Sequence, residues 1–246
     1  MLRVEGLTIR AGSRRLASDI AFDLAEGRVT CRIGPSGCGK TSVLKWLTSI
    51  LPPGLESEGR ISLDGAPIGR PRGAIGYQPQ SDSLFPWLSV ADNAALGLEM
   101  AGVPRRRARE MAVALFEPFG LAGCEDLYPD QISGAMRQRA AFLRTVVREF
   151  RFVLLDEPFS ALDAVTRLRM QDWLCARLAV TRRGVLLVAH DLHEATRIAD
   201  RILVMSANSG ATVADIAVAV SRDACTESAL ADIRTTLKHL LLEETP

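Results

Sequence analysis

The 246-residue sequence predicts an α/β protein with a mainly parallel sheet and a helical segment set into it. Apolar runs bounded by glycine or charge occur at 28–33 (RVTCRI), 151–156 (RFVLLD) and 184–190 (GVLLVAH), and each is followed by a stretch with helical spacing. Such runs read as strands buried on both faces, the condition of a parallel sheet between helical layers. From Leu88 to Phe150 the texture changes to SVADNAALGLEMAG, RRRAREMAVALFEPFG and RQRAAFLRTVV, all helical in period and without a convincing strand. Residues 88–150 are therefore expected as a helical subdomain inserted in the α/β core. The tail ESALADIRTTLKHLLLEE reads as one amphipathic closing helix.

Residues 1–246 are expected to form a single domain, since a 48% apolar content is ample for its core. A net charge of +1 gives no bulk attraction to nucleic acid, and the densest basic run, Arg105 to Arg109, reads as a solvated helix face. No run of eighteen apolar residues occurs, and MLRVEGLTIR carries charges where a signal peptide needs apolar length. The expected location is cytoplasmic. Cys31, Cys38, Cys124, Cys175 and Cys225 are odd in number and lack CxxC spacing, which argues for a reducing compartment and against structural zinc.

The most specific signal is CRIGPSGCGKTSVLKWL. It joins an apolar strand to an amphipathic helix and fits G-x-x-x-x-G-K-[ST] without a mismatch. Gly34, Gly37 and Gly39 let backbone N–H groups wrap phosphates, Lys40 neutralises the β/γ oxygens, and Thr41 offers its hydroxyl to Mg²⁺. By glycine usage alone such a pattern arises by accident about once in a hundred chains of this length. Cys38, inside the loop, reads as a small filler pointing away from phosphate rather than as a redox sensor.

In FVLLDEPFSALD, Asp156 and Glu157 fall at the end of a buried strand, and Pro158 breaks the ladder after them. Ligands of open parallel sheets gather beyond the carboxyl ends of the strands, where the phosphate loop also lies. Asp156 can hold Mg²⁺ through water, and Glu157 can act as general base toward a water attacking the γ-phosphate. His190, closing VLLVAH, is expected at the same edge. In DQISGAMRQR, Ser133 can cap a helix whose exposed N–H groups invite an anion, although the decapeptide alone reads as a cap and nothing more.

Taken in order, GPSGCGKT, YQPQ, ISGAM, VLLDE, SALD and AHD resemble the Walker A, Q-loop, signature, Walker B, D-loop and switch-histidine motifs of the ATPase subunits of ATP-binding-cassette (ABC) transporters. The resemblance covers nearly the whole chain. It implies a P-loop nucleotidase fold of two lobes with an N-terminal antiparallel β region, and ATP and Mg²⁺ as substrate and cofactor. It implies ATP contacts from Gly34, Pro35, Ser36, Gly37, Cys38, Gly39, Lys40, Thr41 and Ser42, and from Asp163 of SALD. Gln80 would join Thr41 and Asp156 at the metal and, with Lys40, Glu157 and His190, serve catalysis. Ser133, Gly134 and Ala135 would meet the ATP of a second, identical subunit, since two such domains join head to tail. The remaining partners implied are transmembrane permease subunits, which hold the chain on the inner face of the cell membrane, and indirectly a solute-binding protein. SLFPWLSV, with Leu84, Phe85 and Trp87 expected exposed around Pro86, would receive the permease.

Two positions depart from the family pattern. Ala135 stands where the signature has glycine, a change tolerable in a helix's first turn where φ is negative. Ala11 precedes Gly12 where the family offers an aromatic ring to adenine; Arg10 is left to stack, weakly, so the expected ATP affinity is poorer than usual for the family. SLFPWLSVADNAALGL, ISGAMRQR and AHDLHEATRIADRILVMS are most similar to bacterial importers of nitrate, sulfonate, taurine or thiamine-precursor type. The rival readings are a catalytically weak regulatory module and a non-transport ABC ATPase; the coiled-coil insert or second cassette of the latter is missing from the sequence.

Overall fold

The computed structural model describes residues 1–69, 73–218 and 226–243, so Cys225 and Glu244 lie outside the described residues. Two sheets organise them. The first is antiparallel, in the order β2-β1-β4-β5, formed by β1 (Leu2–Ala11), β2 (Arg14–Leu24), β4 (Leu55–Leu63) and β5 (Ala66–Pro67). Leu2, Val4, Leu7 and Ile9 of β1 are buried; a register shift between Val4 and Leu7, where Gly6 takes a φ of 60°, keeps the apolar residues on one face through a bulge.

The second sheet runs β10-β9-β3-β8-β7-β6, from β3 (Val29–Ile33), β6 (Ile75–Gln78), β7 (Phe152–Asp156), β8 (Gly184–Val188), β9 (Arg201–Met205) and β10 (Thr212–Ala217). Its pairings are parallel except β10 with β9. Every residue of β3, β7 and β8 is buried, as the unbroken apolar runs predict. One face packs Phe152, Leu154, Leu186 and Val188 against the antiparallel sheet and α1 (Lys40–Leu47). The other packs Val153, Leu155, Val185 and Leu187 in a cluster shared with the remaining helices.

Two predicted strands are trimmed by one residue at their starts, and the third ends earlier than expected. β8 stops at Val188, so Ala189 and His190 lie beyond it. Asp191 then caps α6 (Leu192–Ile198), accepting from His193 N at 2.8 Å. The tail forms α7 (Glu227–Glu243), which buries Leu230 and Leu237.

Between β6 and β7 come α2 (Val90–Glu99), α3 (Arg105–Val113), a turn of 3₁₀ helix at Pro129–Gln131 and α4 (Gly134–Val146). The second expected helix is shorter than its pattern: after Val113 the chain turns through 114–120, where Pro118 has no N–H for a helical ladder. Phe116 and Phe119 bury themselves instead, Phe119 meeting Trp173 edge-on at 4.8 Å. Arg105 to Arg109 form the expected solvated face, paired with Asp92, Glu110 and Asp126.

Phe85 and Trp87 are exposed, their rings 5.2 Å apart, but Leu84 is not exposed with them; it packs, partly buried, against the larger core cluster. Buried Asn93 accepts from Phe85 N at 2.8 Å and donates to Phe85 O at 3.0 Å, which pins the loop and turns Leu84 inward. Among the described residues no helix is long and apolar enough to cross a membrane.

Candidate functional site

Sheet register brings three strand ends to one edge. Val188 of β8 pairs with Arg32 on one side and with Asp156 on the other, so the residues that follow β3, β7 and β8 emerge side by side. The loop after β3 curls over this edge. Gly39 takes a φ of 95°, and a Cβ there would lie 1.9 Å from Leu16 O, so glycine alone lets the loop press against β2 and open α1 at Lys40.

Lys40 is buried, and its Nζ donates to Gly34 O at 2.7 Å and Pro35 O at 2.9 Å, carbonyls that anionic oxygens can replace. Cys38 belongs to the core, with Sγ 3.7 Å from Lys40 Nζ, as a filler should. Thr41 Oγ1 donates to Asp156 Oδ1 at 3.0 Å, and Tyr77 OH donates to Asp156 Oδ2 at 3.3 Å. Burial pushes the Asp156 carboxyl up, Thr41's hydrogen bond opposes this, and neighbouring Glu157 adds to it. Glu157 is buried, with a φ of 52°, a left-handed backbone unusual for a side-chain-bearing residue and placed just past β7. Its N–H continues the ladder to Val188 O at 3.1 Å. Its carboxylate accepts from Gln80 Nε2 at 2.7 Å and faces His190 Nε2 across an ion-pair contact.

Beside them opens a cavity of about 400 Å³, lined by Ser36, Gly37, Gly39, Lys40, Thr41 and Ser42 of the loop, by Gln80, Glu157 and His190, and by Arg14 and Leu16 of β2, with Asp156 buried behind Thr41. The Thr41 hydroxyl, the Asp156 carboxylate and the Gln80 amide oxygen are hard donors, few in number. That set suits Mg²⁺, which keeps several waters and takes phosphate oxygens besides. Ser133, Gly134, Ala135 and Asp163 do not line this cavity. Ser133 caps α4, accepting from Met136 N at 3.2 Å, and with Gly134 is exposed. Asp163 caps α5 (Ala164–Thr181), accepting from Val165 N at 3.1 Å and Thr166 N at 3.0 Å.

Three lining or supporting residues escaped the sequence reading: Arg14, Leu16 and Tyr77. Arg14 and Leu16 reach the cavity where β2 bulges against β1, so residue spacing gave no signal for either. Tyr77 opens the YQPQ motif, three residues before Gln80, and was given no role there.

On α6, which follows His190, Glu194 is 7% exposed, and its Oε1 finds no hydrogen-bond partner among the described residues. Burial raises its carboxyl from 4.5 to about 7, with Arg167 acting against the rise. The folded protein therefore holds a proton that the unfolded chain releases, so this group's contribution is complete below pH 4.5 and disappears as pH passes 7. Urea midpoints are expected to fall between about pH 5 and about pH 8, and Glu194→Gln to remove much of that slope. An unchanged slope in the variant would exclude Glu194 as its source.

A glycine loop opening a helix at the carboxyl edge of a parallel sheet, facing a carboxylate pair, defines a phosphate-loop nucleotidase. The narrower class comes from comparison with known proteins. Residues 17–160 match the ABC transporter family, and the chain belongs to it. It is similar to the taurine import ATP-binding protein TauB of Yersinia pestis bv. Antiqua, 37% identical over 213 residues, 87% of this chain and 82% of the relative. The aliphatic sulfonates import ATP-binding protein SsuB 2 of Burkholderia cenocepacia is 39% identical, over 86% of this chain and 76% of its own length. The formylaminopyrimidine import ATP-binding protein ThiZ of Halalkalibacterium halodurans is 37% identical, over 76% and 72%. In fold the chain resembles the dimeric ATP-binding cassette MJ0796, solved in a post-hydrolysis state with ADP and Pi, with a TM-score of 0.79, 23% identity, and coverage of 89% of this chain and 99% of that one. The chain is an ATPase subunit of an ABC transporter.

Proposed function

We propose that this subunit binds MgATP in the cavity at the strand ends, hydrolyses it, and powers a membrane importer through closure of two identical copies. The observation that carries the reading is the setting of Glu157, a buried carboxylate held between Gln80 and His190 over the edge of the phosphate loop. A base so placed, within reach of a water in line with a bound γ-phosphate, fits hydrolysis better than simple retention. The loop from Gly34 to Ser42 wraps the triphosphate, and Lys40 leaves its carbonyl partners for phosphate oxygens. Mg²⁺, when bound by Thr41, Asp156 and Gln80, supplies neutralisation of phosphate charge. Glu157 takes the proton of the attacking water, and His190 orients it.

Ser133, Gly134 and Ala135 are assigned to the partner copy's ATP, and Asp163 to the same interface. The exposure of Ser133 and Gly134 at the capped start of a 13-residue helix, and of Asp163 at the capped start of α5, away from their own subunit's cavity, supports the assignment; Ala135 is half-buried beside them. The chain works as one domain, with the helices of residues 88–150 as its inserted lobe. Exposed Phe85 and Trp87 offer an apolar surface to a permease, which would hold the subunit at the cytoplasmic face of the membrane and link it to a solute-binding protein. The relatives' names favour import as the direction and small organic solutes as cargo.

Phosphate release with MgATP tests the reading. The chain is expected to turn over ATP and Lys40→Ala to abolish this; ATP binding without turnover would instead favour a regulatory module.

A further inference from the structure

The cavity wall contributed by β2 carries a charge that the catalytic scheme leaves unused. Arg14 pairs with Ala11 through the strand ladder, but its side chain is exposed, lines the cavity, and makes no hydrogen bond or ion pair among the described residues. Arg10, on the neighbouring strand, pairs instead with Glu58. Its guanidinium reaches the phosphate loop, where Nη2 lies 3.6 Å from the point that a Cβ on Gly37 would occupy.

The placement is rigid at its root. Gly39 presses on the carbonyl of Leu16, Ser18 N donates to Gly210 O at 3.1 Å, and β2 bulges at Leu16, between the residues paired with Ile9 and Arg10, so that Arg14 and Leu16 both line the cavity. β2 is thus locked against the loop, and the end of Arg14 comes up to the loop at Gly37. Lys40 approaches the same space from the first turn of α1. An unpaired fork of donors beside an anion cradle has one obvious class of ligand, the phosphoryl oxygens.

Resting on the ATP-binding reading, we propose that Arg14 is a second phosphate-gripping cation, closing over the nucleotide's phosphates from β2 while Lys40 holds them from α1. It strengthens binding at the phosphate end in a chain where Ala11 has no ring to offer the base. The alternative use of the same side chain, stacking on adenine, makes the opposite demand on substitution. A phosphate grip needs charge; a stacking platform needs a flat surface.

ATP affinity by calorimetry for the wild-type chain, Arg14→Ala, Arg14→Lys and Arg14→Phe separates the two, with thermal melts to confirm that each variant is folded. The grip predicts that Arg14→Ala weakens binding about tenfold, that Arg14→Lys retains most of the affinity, and that Arg14→Phe behaves as Arg14→Ala. Affinity in Arg14→Phe equal to or above that in Arg14→Lys overturns the proposal in favour of stacking, and an unchanged Arg14→Ala overturns it outright. A wild-type chain that binds no ATP would instead remove the functional reading beneath it.

Discussion

Glu157→Gln is expected to lower ATP hydrolysis by at least a hundredfold while ATP remains bound. The substitution is nearly isosteric, so the pocket formed by Gln80 and His190 keeps its shape; what disappears is the basicity that takes a proton from water. With hydrolysis blocked and the phosphate loop intact, two subunits should accumulate as an ATP-dependent dimer. Phosphate release and size-exclusion chromatography with and without ATP read the two halves of the expectation. Turnover at the parental rate would show that another group activates the water.

Arg32→Met is expected to stabilise the fold by about 1–4 kcal/mol, by analogy with buried ions exchanged for apolar side chains. Arg32 is 0% exposed in the central strand β3 and pairs with no carboxylate among the described residues. Its Nη1 meets only Met205 Sδ at 3.2 Å, its guanidinium lies over Phe22 at 4.6 Å, and Nε and Nη2 have no hydrogen-bond partner among the described residues. Burial lowers its pKa to about 10, so near neutral pH the side chain stays charged in an apolar core. Methionine fills a similar channel without the desolvation cost. Thermal unfolding should rise by several degrees; a fall would mean that the ring and sulfur contacts outweigh that cost.

The central strands and the loop of the site were legible because their signals are local and strong. RVTCRI, RFVLLD and GVLLVAH carry their burial in their composition, and the glycine and lysine spacing at 34–41 follows from phosphate chemistry. β6 was missed because its four residues, with Gln78 wholly buried among them, do not look like a core strand. β9 was missed because RILVM follows a helix with only two residues between. The shortened second helix was hidden by a pattern whose apolar period continues past Val113 while its backbone does not. Tyr77 and Arg14 depend on which strands lie side by side, information that no window of sequence contains.

Helix α4 holds the chain that follows β6 and β7. Gln138 Nε2 donates to Gln80 O at 3.5 Å and to Pro158 O at 3.4 Å. Arg137 pairs with Asp82 at 3.0 Å, and Arg144 donates to Ser83 O at 2.8 Å and Asp82 O at 2.9 Å. Gln80, Asp82 and Ser83 are thereby tied to the helix that Ser133 caps, so the backbone carrying the glutamine amide and the serine hydroxyl share one rigid support.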